Sequence, residues 1–362
     1  MELKGISTEI PGEEVVKISA QRLKDFAIEA LVEVKVPRDE AEITADCLVD
    51  ADLRGVYSHG IMRLPVYMNH LRKTGPGGVM PKAEITIVKE GDAFALVDGG
   101  NGLGPVVSVK AMDIAIKKAR TSAIASVGVR NSNHNGAEAY YSVMALEHDM
   151  IGFCMSVGGK NIIAPWGGLT PLLGNNPFSF AIPAGEELPV VFDMACSVVA
   201  RGWIMLAMKN NWEIPEGWAV NRDGEPTRNA KEAYDGLVLP IGDYKGYGLA
   251  LIGCILGGVL TGASIGSEVT DLGGDFDRNQ NIGHFTGALS IERFMEVQEF
   301  KGRMDRLIRE LKSARLMRQV EKIYLPGEKE FEAKARNLRE GIPLSKAILN
   351  ELNKMGEARL DI

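Results

Sequence analysis

The sequence predicts a mixed α/β fold joined to a helical domain built from both chain ends. Two patterns carry this: helical apolar spacing marks the region from Gln21 to Thr74 and the chain from Phe294 on, while short apolar runs alternate with helical stretches between them. At 362 residues the chain has room for two or three domains. The expected divisions are an N-terminal helical region over 1–75, a sheet domain over 76–292, and C-terminal helices over 293–362 that pack back on the N-terminal region.

After a polar start, Gln21 to Leu31 and Arg38 to Leu53 read as helices, with Pro37 as a start signal and Gly55 as a stop. Helical character continues to Thr74, where Gly75-Pro76-Gly77-Gly78 breaks it. Ala83–Val88 and Ala93–Val97 then flank a Lys-Glu-Gly-Asp turn as a hairpin does. A helix over Pro105–Arg120, a strand over Ile124–Val129, a helix over Ala137–His148 and a strand over Ile151–Met155 follow. Next come strands at Phe178–Ile182 and Val190–Phe192 and a helix at Val198–Met208. A stretch rich in proline and glycine, Asn210 to Asp243, leads to Gly246–Gly266, which carries no charge. Its dense aliphatic part runs only from Leu249 to Leu260, too short to span a membrane, so it reads as a buried helix whose glycines admit close neighbours. A strand over Thr286–Ile291 returns to the sheet, and charged amphipathic helices, interrupted at Leu325-Pro326-Gly327-Glu328, complete the chain.

A net charge of −7 and the absence of a lysine or arginine block argue against a nucleic-acid surface. Small-molecule chemistry is the better expectation. Cys47, Cys154, Cys196 and Cys254 are scattered without a CxxC pair, and the start shows no basic stretch followed by an apolar core, which points to a reduced, cytoplasmic protein. The five histidines form no HExxH or other obvious ligand pair, so no metal is expected.

Residues 57–67, Tyr-Ser-His-Gly-Ile-Met-Arg-Leu-Pro-Val-Tyr, place His59, Arg63 and Tyr67 at steps of four. Such a step advances about 400° on a helix, so the three would share a face. An arginine fork takes a carboxylate in two parallel bonds, and a histidine exchanges a proton near neutral pH. A carbonyl beside a carboxylate needs both. Pro65 cannot lie inside a helix, so the helix is expected to begin near Met62, with His59 in the loop entering it. The alternative is a capped surface helix with Arg63 in solvent. Ser58 beside His59 suggests a nucleophile and base, but neighbouring side chains on a helix or strand diverge.

Gly99-Gly100-Asn101-Gly102-Leu103-Gly104 is the nearest approach to a dinucleotide fingerprint, and its spacing fails; a tight turn is the simpler reading. Asn131-Ser132-Asn133-His134-Asn135-Gly136 is a polar loop between strand and helix, where ligands tend to be held. Gly174-Asn175-Asn176-Pro177, Asp193-Met194-Ala195-Cys196-Ser197 and Asp243-Tyr244-Lys245-Gly246 are further polar knots. In the second of these, backbone amides at a helix start suit phosphate oxygens, to which Lys245 would add charge.

Taken together and in order, SHGIMR, SNHNG, GNNP, DMACS, KGYG, GHF and LPGE make the chain resemble the malate/L-lactate dehydrogenase family, which is distinct from the Rossmann-type enzymes. The resemblance covers nearly the whole chain. It implies a cofactor domain with a mixed, largely antiparallel sheet of non-Rossmann type, NAD or NADP as cofactor, a small carboxylate substrate and a homodimer. The implied reaction interconverts a 2-hydroxy acid and a 2-oxo acid of the malate, lactate or sulfolactate kind. A cyclic ketimine carboxylate or a diketo sugar acid is the alternative substrate, and a hydrolase or lyase using Ser58 and His59 is a remote one.

By the same resemblance His59 is the acid/base at the substrate carbonyl with Ser58 beside it, and Arg63 and Tyr67 hold the carboxylate and its surroundings. His134 serves as proton acceptor or sits by the cofactor. Asp193, Met194, Ala195, Cys196 and Ser197, with Tyr244, Lys245, Gly327, Glu328 and Lys329, match cofactor-contacting segments, and Asp193 also supports the catalytic histidine. Two departures stand out. Asn135 replaces an aromatic, which would change a pocket wall, and Ser156-Val157-Gly158-Gly159-Lys160 replaces the threonine-asparagine-serine pattern in a loop close to the cofactor.

Overall fold

The computed structural model describes residues 15–209 and 211–360; the polar opening stretch, 1–14, and Asn210 lie outside the described residues. In chain order the elements are β1 (Val15–Ile18), α1 (Ala20–Glu33), α2 (Arg38–Leu53), α3 (Leu64–Arg72), β2 (Thr86–Gly91), β3 (Phe94–Asp98) and α4 (Gly104–Ser122). Next are β4 (Ile124–Ser132), α5 (Ala139–Ser142), β5 (Met150–Ser156), β6 (Phe178–Ile182), β7 (Val190–Met194) and α6 (Arg201–Lys209). β8 (Ala219–Val220), α7 (Ala230–Asp235), β9 (Leu237–Val238), α8 (Tyr244–Cys254) and β10 (Ile282–Ser290) follow, and α9 (Val297–Lys312), α10 (Glu328–Glu340), β11 (Ile342–Ser345) and α11 (Lys346–Leu352) end the chain.

Seven strands form the main sheet in the order β2-β3-β4-β10-β5-β6-β7. Every neighbouring pair is antiparallel except β3 and β4. This mixed, largely antiparallel sheet has none of the consecutive parallel crossovers of a Rossmann unit. α4 covers one face through Val107, Ala111, Met112 and Ala115, which pack with Val127, Val129 and Ala288 of the central strands.

Both chain ends build one helical layer. β1 pairs antiparallel with β11, Val16 opposite Leu344. Leu23, Phe26, Leu31, Leu48, Ile61 and Met68 share a core with Ile342, Leu349 and Leu352. Burying each such side chain contributes roughly 1.5–3 kcal/mol, so more than three hundred residues of sequence separation are bridged by ordinary apolar packing.

Several elements depart from expectation. The hairpin strands lie at 86–91 and 94–98 rather than 83–88 and 93–97, and a bulge interrupts their register between Ile87 and Lys89. The helix expected over 137–148 is one α-turn followed by a 3-10 stretch, Val143–His148. The uncharged segment at 246–266 is helical only through α8 and a π-turn at Ile255–Val259, and only one face of it is buried. Leu249, Ile252, Ile255, Val259 and Leu260 are 40–62% exposed. Its glycines do admit close neighbours: a Cβ on Gly253 would lie 3.3 Å from the Asn176 side chain, and one on Gly257 would lie 3.1 Å from the carbonyl oxygen of Gly283. No helix of the described residues is long and apolar enough to cross a membrane.

Candidate active site

The turn that carries Ser58, His59 and Arg63 is built around a buried carboxyl. Tyr57–His59 and Ile61–Arg63 are single 3-10 turns separated by Gly60, and the α-helix starts only at Leu64, with Pro65 in its first turn. Asp52, at the end of α2, accepts the Ile61 amide at 2.7 Å. Its carboxyl is so close that a Cβ on Gly60 would fall 1.8 Å from Oδ1. Only glycine fits there. Burial raises the Asp52 carboxyl to about 8, against a small opposing effect of the Ile61 amide.

The late helix start changes how the side chains meet. Ser58 Oγ and His59 Nδ1 lie 2.9 Å apart, so these neighbours do not diverge as they would in a helix or strand. The Arg63 Nε–H donates to the Ser58 carbonyl at 2.7 Å, which curls the guanidinium back over the turn. Tyr67, one turn into α3, places its hydroxyl 2.8 Å from His134 Nδ1. The rings of His59 and His134 stack at 5.8 Å with 16° between their planes. His59, Arg63, Tyr67 and His134 therefore form one cluster, drawn from the helical layer and from the end of β4.

Protonation follows from this geometry. The Gly136 amide also donates to His134 Nδ1, at 3.3 Å, and an amide can only donate. Nδ1 therefore carries the lone pair, Tyr67 donates to it, and the proton of the neutral ring sits on Nε2. Burial, the Arg63 guanidinium and His59 hold His134 well below the usual histidine range. Burial and Arg63 push His59 down to about 3. Burial also raises the Tyr67 hydroxyl, which keeps it a donor.

The SNHNG loop is held from several sides. The His134 amide donates to Gln280 Oε1 at 3.2 Å, while Gln280 Nε2 is buried without a partner among the described residues. Sequence reasoning missed Gln280 because it stands in an unpatterned loop. Gly104, from the failed glycine motif, explains its own presence: a Cβ there would lie 2.3 Å from the carbonyl oxygens of Asn133 and His134. Asn135 is no pocket wall. It is buried, and its amide donates to Ser108 and Glu138, both at 3.3 Å. Glu138 in turn accepts from Cys154 and Ser156, so an inward polar network stands where an aromatic was expected to face a ligand.

The expected cofactor segments gather around β7. Asp193 accepts the Ala139 amide at 2.8 Å, tying β7 to the helix that follows the histidine loop; it makes no hydrogen bond to His59 or His134. Beyond Met194 and Ala195, the Cys196 carbonyl accepts the Ile241 amide and also lies 2.9 Å from where a Gly246 Cβ would be, so the Tyr244–Lys245 helix start packs directly on this segment. On the other side Val191 donates to the Pro326 carbonyl, and Gly327, at φ +93°, presses against Val191. Ser197 Oγ is buried with no partner among the described residues. Lys245 is exposed and forms no ion pair with a described residue. Lys329 lies over the Tyr324 ring at 5.1 Å. Glu328 serves the fold, since it is buried, pairs with Lys312 and accepts the Leu325 amide. A cradle with close glycines, an orphan hydroxyl and an available lysine fits a phosphate-bearing dinucleotide. Among the described residues no three of His, Cys, Asp and Glu come together to hold a metal.

The model of the malate/L-lactate dehydrogenase family matches residues 18–353. The chain belongs to that family. A malate dehydrogenase of Pyrococcus abyssi is 41% identical over 351 residues, covering 95% of each protein. Among solved structures, the sulfolactate dehydrogenase from Methanocaldococcus jannaschii has a TM-score of 0.87 at 38% identity, covering 94% of this chain and 96% of that one. The malate dehydrogenase from Pyrococcus horikoshii OT3 also has a TM-score of 0.87, at 37% identity, covering 97% and 99%.

Proposed function

We propose that the His59–Arg63–Tyr67–His134 cluster is where this dehydrogenase interconverts a 2-hydroxy acid and a 2-oxo acid of the malate or sulfolactate kind. The reaction class follows from the family: the chain is an NAD(P)-dependent oxidoreductase acting on a CH–OH group. The observation that carries the residue roles is the stacked pair of neutral imidazoles beside a guanidinium.

Arg63 takes the substrate carboxylate with the N–H groups not spent on Ser58. That pairing sets the oxygen on the second carbon next to His59, which gives it a proton in reduction and removes one in oxidation. Ser58, on Nδ1, orients the ring and leaves Nε2 for the substrate. The nicotinamide cofactor, when bound, would supply the hydride chemistry. His134, with its proton on Nε2 and Tyr67 on Nδ1, is a second fixed donor stacked beside His59. Holding reactants in this way accounts for roughly 7–11 kcal/mol of a barrier, and general acid help adds about 10²–10⁴ in rate. Asp193 positions the helix that follows the His134 loop, and Asp193–Ser197, Lys245 and Gly327 would hold the cofactor.

The exposed aliphatic face of α8 and its π-turn is the contact of a homodimer in a cytoplasmic enzyme. An exposed aliphatic stripe of this extent is unusual on a monomer. Ile252→Glu would then give a monomer by light scattering, and an unchanged dimer would count against this face.

A panel of 2-oxo acids and cyclic ketimine carboxylates, with NADH and with NADPH and followed at 340 nm, tests the reading. Turnover of a 2-oxo dicarboxylate or sulfonate supports it. Turnover of ketimines alone, or of nothing in the panel, would overturn it.

A further inference from the structure

A second polar cavity, of about 260 Å³, opens between the 160–171 loop, the start of α6 and the end of α7. None of the residues assigned above to substrate or cofactor lines it. Three cations do: Lys160, Arg201 and Arg222.

The two guanidiniums are held side by side from the same short helix end. Arg201 Nη2 donates to the Tyr234 carbonyl at 2.8 Å, and its plane lies over the Tyr234 ring at 4.4 Å. Arg222 Nε donates to the next carbonyl, that of Asp235, at 3.3 Å. Neither forms a salt bridge with a described residue. The carboxylate between them, Asp235, is engaged by Lys231 at 3.0 Å. Lys160 is paired with Asp271, in the loop whose Leu272 amide donates to the Gly159 carbonyl. Counting the lining charges, three positive and one negative, leaves the cavity two positive, and its outside partners Asp271 and Lys231 cancel. Two guanidiniums that share one carboxylate, itself already engaged by Lys231, are left with unbalanced positive charge. A planar fork anchored by one N–H, with its other N–H groups unspent, is the arrangement that takes a phosphate or carboxylate in two parallel bonds.

We propose that this cavity binds a small dianion of the phosphate class, gripped by Arg201 and Arg222, with Lys160 closing over it. The site is independent of the catalytic roles assigned above. Two sources share this chemistry: a free phosphate, and the 2′-phosphate of a dinucleotide, since α6 begins four residues after Ser197.

Isothermal titration calorimetry on the intact protein tests it, with inorganic phosphate, adenosine 2′,5′-bisphosphate and adenosine 5′-monophosphate as probes. The expected result is saturable binding of at least one dianion, weakened about tenfold or more in Arg222→Glu and in Arg201→Gln, with Lys160→Gln intermediate. Arg222 is exposed, so its replacement leaves folding intact, as circular dichroism would show. Bisphosphate bound far more tightly than the monophosphate or free phosphate assigns the site to a cofactor phosphate. Equal binding of bisphosphate and free phosphate assigns it to a free anion. No saturable binding of any probe, or binding unchanged in Arg222→Glu, overturns the proposal.

Discussion

The imidazole rings of His59 and His134 lie almost parallel, 5.8 Å apart, although 75 positions of sequence separate them. Each sits near the same guanidinium, and that shared charge is one reason both rings stay neutral. Binding a carboxylate to Arg63 offsets the charge and frees His59 to take up a proton. In the oxidation direction, the acidic limb of the kcat profile should therefore lie at higher pH than that of the kcat/KM profile, which reports the free enzyme. Coincident limbs would mean that Arg63 does not hold the carboxylate.

Replacing Arg63 with Lys keeps the charge and loses the fork. A hydrogen bond to a charged group contributes about 1.5–3 kcal/mol, so KM for the acid should rise roughly 10- to 100-fold with little change in cofactor affinity. Steady-state kinetics beside a fluorescence titration with NADH separates the two effects.

Tyr67→Phe removes one donor from His134 Nδ1 and leaves the Gly136 amide in place. The loss of one neutral hydrogen bond, about 0.5–1.5 kcal/mol, corresponds to a kcat decrease of roughly two- to tenfold. A larger drop would place Tyr67 on the substrate itself.

Much of this site is legible in the sequence, and the reason is local. Pro65 announces a helix start, and the step of four from 59 to 67 survives the change from helix to 3-10 turns well enough to keep the residues together. The partnership of Tyr67 with His134, and the gathering of Asp193, Lys245 and Gly327 around β7, depend on chain crossings that no spacing encodes; family resemblance supplied those residues, and the sheet order explains their meeting. Asn135 shows the limit of that resemblance. A polar residue in a position that is aromatic in many relatives reads as a changed pocket wall, but Ser108, far back in α4, and Glu138, three residues on, turn it inward. The segment at 249–260 misled for a different reason: aliphatic residues that must be covered look the same whether the chain or another molecule covers them.

Asp52 makes the turn sensitive to pH and to size. Its carboxyl is raised from 3.8 to about 8, so between those values the folded chain keeps a proton that the unfolded chain has lost. Stability from this group is present at low pH and declines as pH rises through that window, by up to about 1.4 kcal/mol per pH unit. Asp52→Asn should lessen that decline, measured as urea midpoints across pH 4 to 8 (roughly the span between the two states). Parallel wild-type and variant curves would contradict it.

Gly60→Ala drives a methyl into that same carboxyl. Overpacking of this kind costs about 1–3 kcal/mol, so the melting temperature should fall and KM for the acid should rise, because the turn carrying His59 and Arg63 must shift. A variant with unaltered melting and kinetics would show that the turn is not held by Asp52.

The most direct measurement is turnover of a 2-oxo acid by His59→Ala, with cofactor affinity measured on the same preparation. The expected result is a fall in kcat of about 10²–10⁴ with NADH or NADPH binding unchanged. Turnover equal to that of the unsubstituted enzyme would contradict the assignment of the proton to His59.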